Sequence, residues 1–293
     1  MATSKPRPKL LVIVGPTASG KSALAMKIAK KYSGEIICAD SRTIYKGMDI
    51  GTAKPTKKDR QKVPHWGLDL VNPGKRFTAY DFQRYAQAEI AAIRHRGKLP
   101  MIVGGAGLYI DGVIFDFNLS ADRSVIQRWF LGLLSAQRLQ NIILKKGYGM
   151  PTNRANRRHL IRSIERAGQS GSQNPTPLSS TLIIGLNPSD AVLRSRINKR
   201  VELYFKRRIL DETTHLVRQY GKRAIADSAG IVYSICLEVL SGKISKNEAR
   251  NLAQTAEWQY ARRQRTWFKR NKYIHWFVSP DDAFASVTEL LNK

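Results

Sequence analysis

Near its start this 293-residue chain reads LLVIVGPTASGKS, residues 10–22. The apolar run Leu10–Val14 predicts a buried strand, and the residues after it match the pattern G-x-x-x-x-G-K-[S/T] in full. That pattern is typical of a P-loop, whose glycines allow successive backbone N–H groups to point at phosphate oxygens. The stretch therefore predicts an α/β fold in which a strand, a phosphate-binding loop and a helix follow one another.

The P-loop predicts a set of phosphate-binding residues and one metal ligand. Lys21 would place a cation on the phosphates, and the hydroxyl of Ser22 suits Mg²⁺, the one cofactor we expect. The positive end of the helix that follows would add to the attraction. The predicted diphosphate- or nucleotide-binding residues are Gly15, Pro16, Thr17, Ala18, Ser19, Gly20, Lys21 and Ser22.

The first half of the chain alternates short apolar runs with amphipathic stretches. This alternation is typical of a parallel sheet covered by helices. In addition to the first strand, we predict strands at residues 35–39 and 99–103, and helices at 22–31 and 82–94.

The second half is mostly helical in pattern. Helical spacing begins at about residue 118, and strand character returns only at Thr181–Leu186. Long basic helices are predicted at 189–220 and 246–270, with a last strand at 273–277. We expect an α/β fold with a P-loop NTPase-like parallel sheet core, built from residues 1–117 and 167–293, and a helical insertion domain at 118–166.

The composition is unusual in its large excess of positively charged residues. The chain has 50 Lys and Arg against 22 Asp and Glu, a formal net charge of +28. A field of that size attracts polyanions, so RNA, DNA or an anionic membrane surface is the natural partner. A general solubility bias, or adaptation to a salty or acidic cell, is the alternative explanation.

The two cysteines, Cys38 and Cys236, lie far apart in sequence. Two residues make no disulfide framework, and this spacing fits no zinc site. The apolar run after the basic start is too short for a signal peptide, and no run is long enough to cross a membrane. We expect a cytoplasmic protein that does not bind a membrane.

Asp40 is the clearest carboxylate at the end of a predicted strand. Ligands of open α/β sheets bind beyond the carboxyl ends of the strands, so Asp40 should face the P-loop. Phosphoryl-transfer enzymes usually carry an acid on another core strand, but the strand at 99–103 ends in Gly104 and Gly105. The residues alone leave three roles open for Asp40: metal ligand, helix N-cap or general base.

Further blocks of sequence carry a resemblance to a known family. They are GEIICADS at 34–41, YKGMDIGTAKP at 45–55, VPH at 63–65 with Asp69, GGAGLY at 104–109 and QYARRQRTWF at 259–268. Together with the P-loop they closely resemble the tRNA dimethylallyltransferase (tRNA isopentenyltransferase) family. The likeness is dense over residues 10–110, sparse in the middle, and returns near the C-terminus.

The resemblance implies that the P-loop holds the diphosphate of dimethylallyl diphosphate rather than ATP. The implied reaction moves the dimethylallyl group to the N6 amine of the adenosine 3′-adjacent to the anticodon, with Mg²⁺ assisting the departure of diphosphate. Asp40 matches the family's catalytic aspartate and would accept the amine proton, while Lys21 and Thr17 are the other catalytic candidates. A single-stranded loop suits this chemistry because the base leaves its stack there at the lowest cost.

The resemblance also implies a set of contacts with the tRNA anticodon stem-loop. The residues at the matching positions are Asp40, Ser41, Arg42, Thr43, Ala106, Arg128, Arg158, His159, Leu160, Ile161 and Arg162. Arg158 and Arg162 are one helical turn apart, so a merely solvated helix face is the alternative for them. We expect Tyr260 and Trp267 to pack inward and the arginines around them to face phosphates.

The sequence departs from the usual family pattern beside the expected site. Arg42 and Thr43 stand where Met and Gln are typical, Ala106 replaces a threonine, and Trp258 replaces an arginine. These departures leave open a tRNA-binding relative with weakened catalysis, and the P-loop with Asp40 leaves open a small P-loop kinase. We expect the protein to be a monomer.

Overall fold

All strand pairs of the central sheet run parallel, in the order β3-β2-β4-β1-β5-β6. A computed structural model describes residues 9–117, 119, 130–165, 176–228 and 230–292. The strands are β1 Leu10–Val14, β2 Gly34–Ala39, β3 His65–Trp66, β4 Leu99–Gly104, β5 Thr181–Leu186 and β6 His275–Phe277. The predicted parallel α/β fold is confirmed, and only the short edge strand β3 was not predicted.

Helices cover both faces of the sheet and one of its ends. In the described part of the chain they are α1 Lys21–Tyr32, α2 Lys57–Lys62, α3 Ala79–His95, α4 Gly107–Ile114, α5 Ala136–Lys145, α6 Arg157–Glu165, α7 Asp190–Lys206, α8 Ile209–Tyr220, α9 Lys222–Ser228, α10 Ile231–Leu240, α11 Lys246–Phe268 and α12 Pro280–Asn292. The helical stretch predicted at 189–220 is broken by Arg208, whose φ of 64° is left-handed and interrupts the helix. Helices α2, α4, α9, α10 and α12 were not predicted.

Strand β1 lies between β4 and β5, and all its residues are buried. Its side chains alternate between two hydrophobic clusters, one of which contains α3 and α4 and the other α1 and α12. Because both faces of β1 are covered, every one of its side chains is apolar.

The carboxyl ends of β1, β2 and β4 meet at one edge of the sheet. There the P-loop follows β1, Asp40 follows β2, and the turn into α4 follows β4. A Cβ atom on Gly104 would lie 2.0 Å from the carbonyl oxygen of Ala39, so only glycine allows this approach. The Ala106 N–H then donates to the same oxygen at 3.2 Å, which places the β4–α4 turn beside Asp40.

Helices α7 to α11 cover this edge of the sheet. They share a hydrophobic cluster with residues of the loop that follows Asp40, including Ile44 and Met48. The Glu212 carboxylate of α8 accepts hydrogen bonds from the backbone N–H of Ile50 at 3.0 Å and from the hydroxyl of Tyr233. The loop after β2 is thus fixed between the sheet edge and the helices.

Helices α5 and α6 form a hydrophobic cluster of their own. Its buried members are Leu131, Leu139, Ile143, Leu160, Ile161 and Ile164. This cluster is what a small helical insertion requires, but residues 118, 120–129 and 166–175 lie outside the described residues, so the boundaries 118–166 stay a prediction.

Candidate active site

Positive φ angles shape the P-loop. Gly15, Ala18 and Gly20 have φ of 150°, 61° and 99°. A Cβ atom on Gly15 would lie 2.5 Å from the carbonyl oxygen of Leu186 at the end of β5, so a larger residue there would push the two strand ends apart. The loop therefore depends on glycine for both its turn and its close contact with the sheet.

The P-loop contains a hydroxyl that is suited to bind an anion. Ser19 is 1% exposed, and its Oγ has no hydrogen-bond partner in the described part of the chain. A buried polar group without a partner costs about 1–3 kcal/mol, and a phosphate oxygen would remove that cost. This orphaned hydroxyl supports the prediction that the loop holds a phosphate group.

Ser22 lies in the first turn of α1 with an exposed side chain. The described residues contain no cluster of three or more His, Cys, Asp or Glu that could hold a metal by themselves. Mg²⁺ commonly takes only one or two protein oxygens and completes its shell with substrate phosphates and water. The Ser22 hydroxyl therefore fits a Mg²⁺ ion that is held mainly by a bound diphosphate.

Three cations surround the P-loop. Lys21 Nζ donates to the Pro16 carbonyl oxygen at 3.0 Å, and Arg196 and Arg200 of α7 donate to the Ser19 carbonyl oxygen and to Thr17 Oγ1 at 3.0 and 2.6 Å. Burial is the main cause that lowers the pKa of Lys21 to about 8, and the positive charge of Arg200 is the second. A dianionic ligand would relieve this mutual repulsion of cations.

Asp40 begins a tight turn directly after β2. Its Oδ1 accepts the backbone N–H of Arg42 at 2.8 Å, and the Thr43 hydroxyl donates to the Asp40 carbonyl oxygen at 3.4 Å. No helix begins here, so the N-cap role for Asp40 is wrong. The hydrogen bond from Arg42 fixes the carboxylate at the sheet edge.

A cavity of about 420 Å³ brings the P-loop and Asp40 together. The sheet edge and the adjoining loop contribute Thr17, Asp40, Ser41, Arg42, Gly51 and Thr52. Helices α7, α10 and α11 and the residue before α10 contribute Arg200, Tyr204, Gly230, Ile231, Ser234, Glu257, Tyr260 and Arg263. Thr17 of the P-loop and the Asp40 carboxylate thus line the same cavity.

Trp258 of α11 supports the P-loop from the side of the helices. It is buried in a cluster with Ala18 of the loop and residues of α7, and the Arg194 guanidinium lies 4.0 Å from its ring centroid. Its role is therefore packing, while Arg196 and Arg200 provide cations at the loop. Trp267 packs inward as predicted, and its Nε1 donates to Asp111 at 2.6 Å.

The expected tRNA-contacting residues fall into two groups. Arg158, His159 and Arg162 are exposed on α6, whereas Leu160 and Ile161 are buried in the cluster of α5 and α6. The resemblance implied RNA contacts along residues 158–162. Such contacts by the Leu160 and Ile161 side chains do not fit the structure, because both side chains are buried. They alternate with the arginines because a helix places positions 160, 161 and 164 on its apolar face.

The remaining expected contacts lie near the cavity. Ser41 and Arg42 line it, and the Arg42 guanidinium donates to the Ser228 carbonyl oxygen at 2.9 Å. Thr43 is 5% exposed, which leaves its side chain no surface to offer RNA. Ala106 is half-buried beside Ala39, and Arg128 lies outside the described residues.

A basic groove of about 530 Å³ runs along α11 next to the cavity. It is lined by Gln259, Arg262, Arg263, Thr266, Trp267 and Arg270. Arg263 lines both the groove and the cavity, and the Arg270 guanidinium lies 4.3 Å from the Trp267 ring centroid.

None of the described helices combines the length and the apolar character needed to cross a membrane.

Comparison with known proteins decides the family. The family model described as IPP transferase matches residues 43–271, and the model described as isopentenyl transferase matches residues 8–69. The chain belongs to the IPP transferase family. The expected family and P-loop-like fold are thereby confirmed, and the small-kinase alternative is not favoured.

Relatives of this IPP transferase match over nearly their full length. Proteins named tRNA dimethylallyltransferase are 36% identical in Staphylococcus epidermidis, over 99% of this chain and 94% of the relative, and 37% identical in Staphylococcus haemolyticus, over 98% and 93%. The crystal structure of the tRNA isopentenylpyrophosphate transferase of Bacillus halodurans aligns with a TM-score of 0.73 at 33% identity, over 98% of this chain and 97% of that one.

The sequence analysis did not assign several residues of this IPP transferase site. The P-loop or the cavity is also surrounded by residues of helices far along the chain, namely Arg196, Arg200, Glu257, Tyr260 and Gln264. Two signals were available: Arg196 and Arg200 are one helical turn apart on a basic helix, and Tyr260 and Gln264 lie in the family-like block at 259–268.

Proposed function

We propose that this IPP transferase moves the dimethylallyl group of dimethylallyl diphosphate to the N6 amine of the adenosine 3′-adjacent to the anticodon of a tRNA. One observation carries the proposal: Thr17 of the P-loop and Asp40 line the same cavity. The names of the relatives, tRNA dimethylallyltransferases, support the same reaction.

The diphosphate lies in the P-loop. Backbone N–H groups, Lys21 and Arg200 stabilise the negative charge that grows on the diphosphate as it leaves, and the Ser19 hydroxyl donates to one of its oxygens. The Ser22 hydroxyl would hold Mg²⁺ beside the diphosphate, and the ion would neutralise part of the charge on the leaving group.

Asp40 acts on the acceptor side of the cavity. The N6 nitrogen forms a bond with the allylic carbon while the bond from that carbon to the diphosphate oxygen breaks, and the electron pair of the broken bond stays on the oxygen. Asp40, held by the Arg42 N–H, accepts the proton that N6 loses. An aromatic amine is a weak nucleophile, so this proton acceptor has a large effect on the rate.

Two basic surfaces bind the anticodon stem-loop. Phosphate contacts come from Arg158, His159 and Arg162, which are exposed on α6, and from the groove along α11 next to the cavity. Both cysteines are free and buried, which is consistent with a place in the cytoplasm.

Labelled dimethylallyl diphosphate tests the proposal when it is incubated with Mg²⁺ and anticodon stem-loops that have or lack the target adenine. We expect label only on the stem-loop with the adenine, and a loss of about 100-fold or more in Asp40→Asn and Asp40→Ala. Asp211→Asn, an exposed aspartate of α8, is the matched control. Unimpaired transfer by Asp40→Ala refutes Asp40 as the base, and ATP consumption without RNA favours the kinase.

A further inference from the structure

Glu257 is a second carboxyl group in the same cavity. It lies in the middle of α11, is 8% exposed, and lines the cavity together with Thr17, Asp40 and Arg200. A buried acid is rarely kept without a partner or a function. Neither the P-loop pattern nor the role of Asp40 accounts for it.

Charged and titratable groups face Glu257 from each element around it. Helix α1 contributes Lys21, the end of β2 contributes Asp40, and α7 contributes Arg200. The other titratable or charged residues that line the cavity are Arg42, Tyr204, Tyr260 and Arg263. Lys21, Arg200 and Thr17, which belong to the P-loop or contact it, all interact with the buried Glu257 carboxyl, so this carboxyl lies close to the expected diphosphate site.

The surroundings of Glu257 make its carboxyl a weaker acid than an ordinary glutamate. Burial raises the pKa of its carboxyl and Asp40 raises it further, while Arg200, the Thr17 hydroxyl and Lys21 lower it without cancelling the rise. Arg200 is already engaged with Thr17 Oγ1 at 2.6 Å. A bound diphosphate trianion keeps a net negative charge even with one Mg²⁺, so it raises the pKa of the Glu257 carboxyl further.

We propose that Glu257 is the general acid that protonates the departing diphosphate, an inference that rests on the proposed prenyl transfer. As the bond from the allylic carbon to oxygen breaks, the electron pair stays on the diphosphate oxygen, which takes the proton of Glu257. On the other side N6 forms its bond to carbon and gives its proton to Asp40. Water then returns a proton to Glu257, and Asp40 releases its own. Two carboxyl groups in different surroundings thus divide the acid and base roles.

A leaving-group series tests the acid role. Glu257→Gln keeps the size of the side chain but has no acidic proton, and we expect its single-turnover rate with dimethylallyl diphosphate to fall by about 100-fold. A difluoromethylene bridge between the two phosphorus atoms makes the leaving group less basic, so the loss should shrink. A methylene bridge makes it more basic, so the loss should grow. An equal loss with all three donors overturns the proposal, because a structural defect does not depend on leaving-group basicity.

Two further variants separate chemistry from folding. Glu238→Gln changes an exposed carboxylate of the neighbouring α10 and should leave the rates unchanged. Glu257→Asp keeps an acid and should recover part of the rate that Glu257→Gln loses. Thermal unfolding identifies any variant that is merely destabilised, and a Glu257→Asp protein that folds but is no faster than Glu257→Gln contradicts the acid role.

Infrared difference spectra with dimethylallyl diphosphate bound in the absence of RNA provide a readout that needs no transfer. We expect this complex of the wild-type protein to show the C=O stretch of a protonated carboxyl, and Glu257→Gln to lack it. If this band is absent from the wild-type spectrum, the acid role is overturned whatever the stem-loop assay gives. If the band is present and no stem-loop is prenylated, the protonated Glu257 stands and the proposed tRNA reaction fails.

Discussion

The side-chain oxygen of Gln264 accepts a hydrogen bond from the backbone N–H of Thr17 at 2.7 Å, across 247 residues of sequence. The Nε2 of the same amide donates to the Gly105 carbonyl oxygen at 3.0 Å. One buried side chain of α11 therefore joins the P-loop after β1 to the turn after β4. A Cβ atom on Gly105 would lie 2.1 Å from this Nε2, so the contact also explains why glycine occupies position 105.

Gln264→Ala should loosen the P-loop and lower stability. The Thr17 N–H and the Gly105 carbonyl lose their partner, and each buried polar group left unpaired costs about 1–3 kcal/mol. We expect the free energy of unfolding in urea to fall by about 2 kcal/mol and pyrophosphate to bind about 10-fold more weakly. Gln259→Ala, an exposed position on the same helix, should change stability by no more than about 0.5 kcal/mol. Equal effects of the two substitutions would contradict the role of Gln264 as a link.

Arg200→Ala should weaken diphosphate binding more than it weakens folding. The guanidinium that donates to Thr17 Oγ1 is lost, and hydrogen bonds to charged groups are worth about 1.5–3 kcal/mol. This corresponds to a loss of roughly 10- to 100-fold in pyrophosphate affinity, measured by calorimetry. Lys199→Ala removes the same charge from an exposed neighbouring position and should have little effect. A similar loss in both variants would mean that only the overall charge of α7 matters.

Arg158→Ala and Arg162→Ala should weaken stem-loop binding without affecting the fold. Both side chains are exposed on α6, and each phosphate contact that is lost should reduce the slope of log affinity against log salt by about 1. Lys30→Ala is the matched control, because the last turn of α1 lies at the opposite edge of the sheet from the P-loop. An unchanged salt slope in both arginine variants would favour the alternative of a merely solvated helix face.

Arg96→Ala should lower stability in a pH-dependent way. Hydrogen bonding by Arg96 is the largest cause that lowers the pKa of Glu35, and its Nη2 lies 2.7 Å from Glu35 Oε2. Because the folded pKa lies below the ordinary value of 4.5, this stabilisation is complete above that pH and is lost as pH falls through the folded pKa.

We expect only a modest loss of stability at neutral pH, because solvent screens the partly exposed Arg96. The difference from wild type should fade in acid, as followed by urea unfolding across pH. Arg94→Ala should show no such dependence, since Arg94 donates to the neutral Lys9 carbonyl. A loss in Arg96→Ala that stays constant down to acidic pH would rule out Glu35 as its cause.

The sequence by itself determined the P-loop, the strands beside it and the family. These features are local: β1 must be apolar because it is covered on both faces, and the turn after it needs glycine because of its φ angles. The blocks near Asp40 are also contiguous, so they could be recognised without knowledge of the fold. Short apolar helices such as α4 and α10 were missed because they lack a polar face and so show little helical periodicity.

Only the tertiary structure decided which distant side chains complete the site. Arg200, Glu257 and Gln264 reach the P-loop from α7 and α11, because these helices pack over the carboxyl ends of the strands. No local pattern encodes such a meeting, since it depends on how helices far along the chain dock on the sheet edge. The family match alone treats Leu160 and the arginines of α6 alike; the helical spacing of Leu160, Ile161 and Ile164 predicts one apolar face, and the packing of α5 against α6 shows that this face is buried.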